Sequence, residues 1–144
     1  MMISTRGRYA LRMMLDLAEH SDEGFVALKD IAERQDVSKK YLEQIIPILN
    51  HSGFLQTTRG FQGGYRLKKA PKDYTVLDIL NAAEGSLAPV ACLEGEENDC
   101  PRRAQCLTLP VWQGLKKTVE DYLGSITLQD ILDNGAASGD NYII

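Results

Sequence analysis

Two short helical segments separated by two residues constrain this chain more than any other feature. Leu28, Ile31 and Ala32 mark the apolar face of a helix ending near Gln35, and Leu42, Ile45, Ile46 and Leu49 mark another at i, i+3, i+4, i+7 spacing. Between them stand Asp36 and Val37, followed by Ser38, whose hydroxyl can accept a hydrogen bond from the unpaired N–H groups of a first turn. With Val37 placed to pack between the helices, the segment matches a helix-turn-helix. Many αα-hairpins share this spacing without touching DNA, so the pattern alone leaves the partner open. Pro47 removes one backbone donor and is expected to kink or shorten the second helix, and Gly53 is placed to cap its C-terminus.

The residues that follow narrow the choice. Residues 54–59 and 65–67 read as two strands joined by Gly60-Phe61-Gln62-Gly63-Gly64, a β-hairpin wing. Its glycines allow positive φ and close approach of a partner, and Arg59, Arg66, Lys68 and Lys69 surround the loop with charge suited to phosphates. The overall charge of −4 hides an asymmetry: residues 1–72 carry twelve Lys and Arg against eight Asp and Glu, and the remainder four against twelve. A basic front and an acidic back suit a protein that presents one end to a polyanion.

The rest of the chain supplies a scaffold. Tyr9, Ala10, Met13, Met14, Leu17 and Ala18 recur at helical spacing before the helix pair. Residues 75–83 read as a further helix with Thr75 and Asp78 at capping-box spacing, ended by Gly85. Residues 86–106 fit neither period and hold an acidic run with all three cysteines. Trp112, Leu115, Val119, Tyr122 and Ile126 then form a heptad-like seam that wants a partner, most simply a second copy. Thr127 and Asp130 open a short last helix with the same capping spacing, and the Gly/Ala/Ser-rich stretch 135–139 is expected to be flexible. The fold class is therefore mainly α: a winged helix-turn-helix with a β-hairpin wing and a long C-terminal dimerisation helix. The expected division is a DNA-binding domain over 1–90, a cysteine-containing loop over 91–106, the dimerisation helix and a short following helix over 107–132, and a flexible tail over 133–144.

Two classes of function are set aside. The only histidines, His20 and His51, are far apart in sequence, and no phosphate loop or nucleotide fingerprint appears, so the chain is not read as an enzyme. No apolar run approaches the roughly 18 to 20 residues that span a bilayer, and the N-terminus lacks a signal-peptide core, so a cytoplasmic protein with no membrane partner is expected.

Residues 3–11 (ISTRGRYAL), the segment 31–35 (IAERQ) with Ser38 and 41–44 (YLEQ), and the wing Arg59-Gly60 with Gly63-Gly64-Tyr65 resemble the Rrf-two family of bacterial winged-helix regulators, from residue 3 to about residue 132. The resemblance implies a homodimer with crossed long helices, bound to double-stranded DNA at a palindromic site with one recognition helix in each half. It places Lys40, Glu43 and Gln44 in the major groove and Arg59 in the minor groove, beside Ser38, Lys39, Gly60, Gly63 and Gly64. Gln can pair bidentately with adenine, Lys can donate to guanine, and Arg suits a narrow minor groove. Lys40 and Phe61 depart from the residues of the cluster-regulating members, a small hydroxyl residue and a wing proline, so no operator sequence is transferred.

Cys92, Cys100 and Cys106, spaced C-x7-C-x5-C, resemble the three-cysteine loop of members that carry an iron-sulfur cluster, which implies a 2Fe-2S cofactor and sensing of cluster status. Leu109 stands where such members supply a histidine, and Arg8 falls where another type supplies an acidic ligand. The fourth ligand is thus open among Glu94, Asp99, solvent or the second subunit, and zinc or a thiol redox site remain alternatives for the cysteines. The apolar terminus Tyr142-Ile143-Ile144 resembles that of the cysteine-metabolism repressor, which implies docking of a cysteine synthase through Ile144.

Overall fold

The computed structural model describes residues 2–60 and 63–138. The expectations for Phe61 and for the terminus ending at Ile144 lie outside the described residues. Helix α1 (Thr5–Glu19) starts where Ser4 Oγ accepts from the Gly7 N–H, and buries Ala10, Met13, Met14, Leu17 and Ala18 along one side. A 3-10 turn over Ser21–Glu23 leads to α2 (Leu28–Gln35). Asp36 then takes the left-handed conformation, φ 52°, the one non-glycine residue with positive φ among those described. Asp tolerates this region because its short side chain bonds locally, and it lets the Val37 N–H return to Ala32 O at 3.0 Å.

Helix α3 (Lys39–His51) begins as expected, with Ser38 Oγ accepting from the Tyr41 N–H at 3.1 Å. Pro47 does not shorten it. The proline is exposed and the helix continues to His51. Gly53, φ 73°, closes it: its N–H donates to Asn50 O and that of Phe54 to Leu49 O, satisfying two end carbonyls. Val37 and Tyr41 pack against the core that Leu42, Ile45, Ile46 and Leu49 share with α1 and α2.

Strands β1 (Leu55–Thr58) and β2 (Gly64–Leu67) pair antiparallel with Leu55 opposite Leu67 and Thr58 opposite Gly64. Val26 adds a third, single-residue rung by exchanging both hydrogen bonds with Tyr65 at 2.8 Å. This rung explains Gly64, since a Cβ there would lie 2.3 Å from Val26 O.

Helix α4 (Val76–Glu84) carries the expected capping box between Thr75 and Asp78 and stops at Gly85, φ 80°. Residues 86–108 follow as turns, with a 3-10 turn over Ala91–Leu93. Helix α5 (Leu109–Gly124) has no buried residue. Helix α6 (Leu128–Ser138) folds back, with Leu128 fully buried in the main core and Leu132 packed on it. Its entry pairs with the chain before α4: Leu128 N–H donates to Tyr74 O and Val76 N–H to Ile126 O. A smaller core of Val76, Leu80 and Leu87 is covered by Leu11, Leu123, Ile126 and Ile131. The helix runs on to Ser138, past residue 133 where the sequence pattern predicts a flexible tail. Leu132 anchors that turn, Gln129 bonds Asp133 across it, and alanines favour its continuation.

Candidate nucleic-acid interface and cysteine loop

Local capping sets which residues of α3 face outward. Ser38 fixes the first turn of α3, so Lys39, Lys40, Glu43 and Gln44 all emerge on its exposed side while Leu42 and Ile45 go inward. Opposite them stands the wing, with Arg59 and Gly60 exposed at the end of β1 and Gly60 at φ 106°. The two elements face each other across an open cleft of about 400 Å³, lined by Lys39 and Glu43 from α3, by Gly60, Gly63 and Gly64 from the wing, and by Lys29 from α2. Ser38, Lys40, Gln44 and Arg59 lie outside the cleft lining.

Gly64 is buried against Val26, and the sheet requires its lack of a side chain. One expectation about the wing needs correction. Lys68 and Lys69 do not surround the loop. They follow β2 at the hairpin's base, where the Lys68 N–H donates to Phe54 O. Arg66 is engaged within the wing, donating to Gln56 Oε1 at 2.7 Å and lying 4.3 Å over the Phe25 ring.

The helix pair is held to α1 by a polar network that the periodicity does not reveal. Asp16 is 1% exposed and accepts both arms of the Arg34 guanidinium, at 2.7 and 3.1 Å, and the Gln35 amide at 2.9 Å. Its hydrogen bond and charge push the Arg34 pKa up. Arg12 donates to the Gln35 side chain and carbonyl and lies 4.7 Å over Tyr9, whose ring meets Tyr41 of α3 edge-on at 5.6 Å. At its other end α1 is tied to α4: Ser4 donates its N–H and hydroxyl to Glu84 Oε1, and Arg6 donates to Ala83 O.

All three cysteines are free and half-buried. Cys92 lies on the Ala91–Leu93 turn. Cys100 and Cys106 line one open cleft of about 420 Å³ with Arg102, Gln105, Leu107 and Thr108. The Thr108 hydroxyl, 3.5 Å from Cys106 Sγ, lowers that thiol's pKa, helped by the Thr108 and Leu109 amides and by Arg102. Cys92 does not join the cleft lining, and among the described residues no three His, Cys, Asp or Glu side chains gather as a metal site. His20 is turned to Asp16 O at 2.8 Å, and His51 is exposed at the end of α3.

A helix pair with a capped reading helix and a paired wing defines a winged-helix transcriptional regulator. The chain belongs to the Rrf2 family, described as an iron-dependent transcriptional regulator, which it matches over residues 3–134. Protein rrf2 of Nitratidesulfovibrio vulgaris is 44% identical, over 92% of this chain and 87% of that protein. The HTH-type transcriptional regulator IscR of Pectobacterium carotovorum is 39% identical, over 93% and 80%. Among solved structures, CymR (YrzC), the global cysteine regulator of B. subtilis, superposes with a TM-score of 0.75 at 36% identity, covering 93% of this chain and 98% of that one. T. potens IscR does so with 0.74 at 41%, covering 94% and 88%. The protein is thus a DNA-binding regulator and not an enzyme. Among the described residues no helix is long and apolar enough to cross a membrane.

Proposed function

We propose that the protein is a homodimeric regulator that reads palindromic operators and senses iron-sulfur cluster status through Cys92, Cys100 and Cys106. The observation that carries DNA reading is the convergence of α3 and the wing on one cleft whose cations outnumber its single carboxylate. In this reading residues 1–90 contact DNA: Lys40, Glu43 and Gln44 meet base edges, Ser38 and Lys39 meet phosphates, and Arg59 with Gly60 and Gly63 enters the minor groove. Residues 91–106 hold the cofactor, and 107–132 pair the two copies. The unpaired apolar side of α5, with Val111 60%, Leu115 39% and Tyr122 65% exposed, supports a second copy as its cover.

The donor set fits a 2Fe-2S cluster in its chemistry. Three soft thiols lie in a loop of turns, two of them share a cleft, and the Thr108 hydroxyl lowers the pKa of one. Such a cluster supplies a redox- and damage-sensitive group, and holding it with all three cysteines requires Cys92 to join the other two. The test is anaerobic reconstitution followed by visible spectroscopy, metal analysis and footprinting on a site selected from random duplex. Visible absorption lost in each single Cys→Ala variant, with an altered footprint, supports the reading. An unchanged spectrum in the triple variant overturns the ligand set, and failure to select any sequence overturns operator reading.

Similarity to the global cysteine regulator of B. subtilis favours a second reading, a cysteine-metabolism repressor whose cysteines form a zinc or thiol redox site and whose tail docks a cysteine synthase through Ile144. Stoichiometric zinc in place of iron, together with calorimetric binding of a peptide of residues 135–144 to that synthase, distinguishes it.

A further inference from the structure

We infer that Lys29 is a DNA-contacting residue, and that the cleft it lines seats the strand of sugar-phosphate backbone that runs between the groove read by α3 and the groove reached by the wing. This rests on the DNA-reading proposal above. A helix in a major groove and a hairpin in the adjoining minor groove are always separated by one backbone strand, so whatever lies between the two elements faces that strand. Here the space between them is the cleft whose lining includes Lys29.

Three observations suit that wall to a phosphate. Lys29 is exposed and forms no ion pair among the described residues, so its charge is available, while Asp30, the one acid in the first turn of α2, does not line the cleft. Helix α2 starts at Ala27 without a side-chain cap, and Ala27, Leu28 and Lys29 all line the cleft, which adds donors beside the lysine. On the wing side the cleft is lined by Gly60, Gly63 and Gly64, which present backbone and no side chain. Lys29 belongs to no base-reading face, so its contact is independent of sequence.

The experiment uses the full-length protein and a labelled duplex carrying the strongest site selected from a random pool. Its affinity is measured by anisotropy over a range of potassium chloride, beside a mixed-sequence duplex. Lys29→Gln is expected to weaken both duplexes by the same factor and to flatten the plot of log affinity against log salt by about 0.9 for each protomer. Lys72→Gln, which lies outside the cleft, is expected to leave the slope unchanged. Ala27→Asp supplies a cap and a negative charge together, so it is expected to raise Tm while weakening binding more than Ala27→Ser does. An unchanged slope in Lys29→Gln, or a loss confined to the selected site, overturns the inference. Failure of the wild type to select any site overturns the DNA-reading proposal instead.

Discussion

Asp16 shows how one buried side chain ties the helix pair to α1. Its carboxylate is taken out of water on α1, neutralised by Arg34 and hydrogen-bonded by the Gln35 amide, the last residues of α2 before the turn into α3. Asp16→Ala leaves that guanidinium without its acceptor. Arg34 is 36% exposed and can turn to solvent, so the expected cost is at the lower end for a charge-assisted network, about 2 kcal/mol, read as a lower urea midpoint at unchanged slope. Cys106 gives a residue-scale test with a pH readout. Its folded pKa is lowered, first by the Thr108 hydroxyl, so the thiolate persists below the pH at which an ordinary thiol protonates. In the metal-free protein iodoacetamide should therefore label it with a midpoint below the usual thiol range. Thr108→Val removes the leading cause and should move the midpoint upward. An identical profile in the two proteins removes Thr108 as the cause. Neither Asp16 nor the Glu84 contact with Ser4 is visible in the sequence, because their partners lie 18 and 80 residues away and follow no local period.

At the scale of elements the sequence was legible wherever a signal is local. Ser38, Gly53, the Thr75–Asp78 pair and the Thr127–Asp130 pair all occupy the capping roles their spacing predicts, because each role is decided within three or four residues. The corrections arise where tertiary contact overrides local preference. Helix α6 persists because Leu132 reaches the main core, and the lysines after β2 sit at the hairpin's base because register, not composition, places them. The division of labour among the wing glycines is likewise tertiary. Gly64→Ala drives a methyl into the Val26 carbonyl, so about 1 to 3 kcal/mol of overpacking cost is expected together with loss of DNA affinity. Gly60→Ala meets no atom within 4 Å and carries only the strain of its positive φ. Thermal melts that rank the two in the reverse order would contradict this assignment.

At the scale of the whole molecule, α4 and α5 bracket the cysteine loop, and α1 links that end to the helix pair: Glu84 receives Ser4 at the start of α1, Tyr9 meets Tyr41 of α3 one turn further on, and Arg12 and Asp16 hold α2 along the rest of its length. The seam predicted from Trp112 to Ile126 is packed on its own chain at one end and exposed over the rest. Ile126 packs on the small core of its own chain, with Leu123 beside it. Trp112, Leu115 and Tyr122 remain exposed on a helix of 16 residues, about 24 Å long at the α-helical rise. A second copy with the same face across a two-fold axis covers such a stripe and sets two reading helices on one duplex, which is why the dimer and the palindrome belong to one proposal. Leu115→Asp places a charge in the middle of that face while touching neither core cluster. Sedimentation is expected to show monomer, with an unchanged α-helical circular dichroism spectrum. Binding to a full palindrome should fall to that of a half-site, since the second module no longer benefits from the effective concentration set by the first. A variant that stays dimeric and keeps full-palindrome affinity would move the interface to another surface and leave the exposed side of α5 for a different partner.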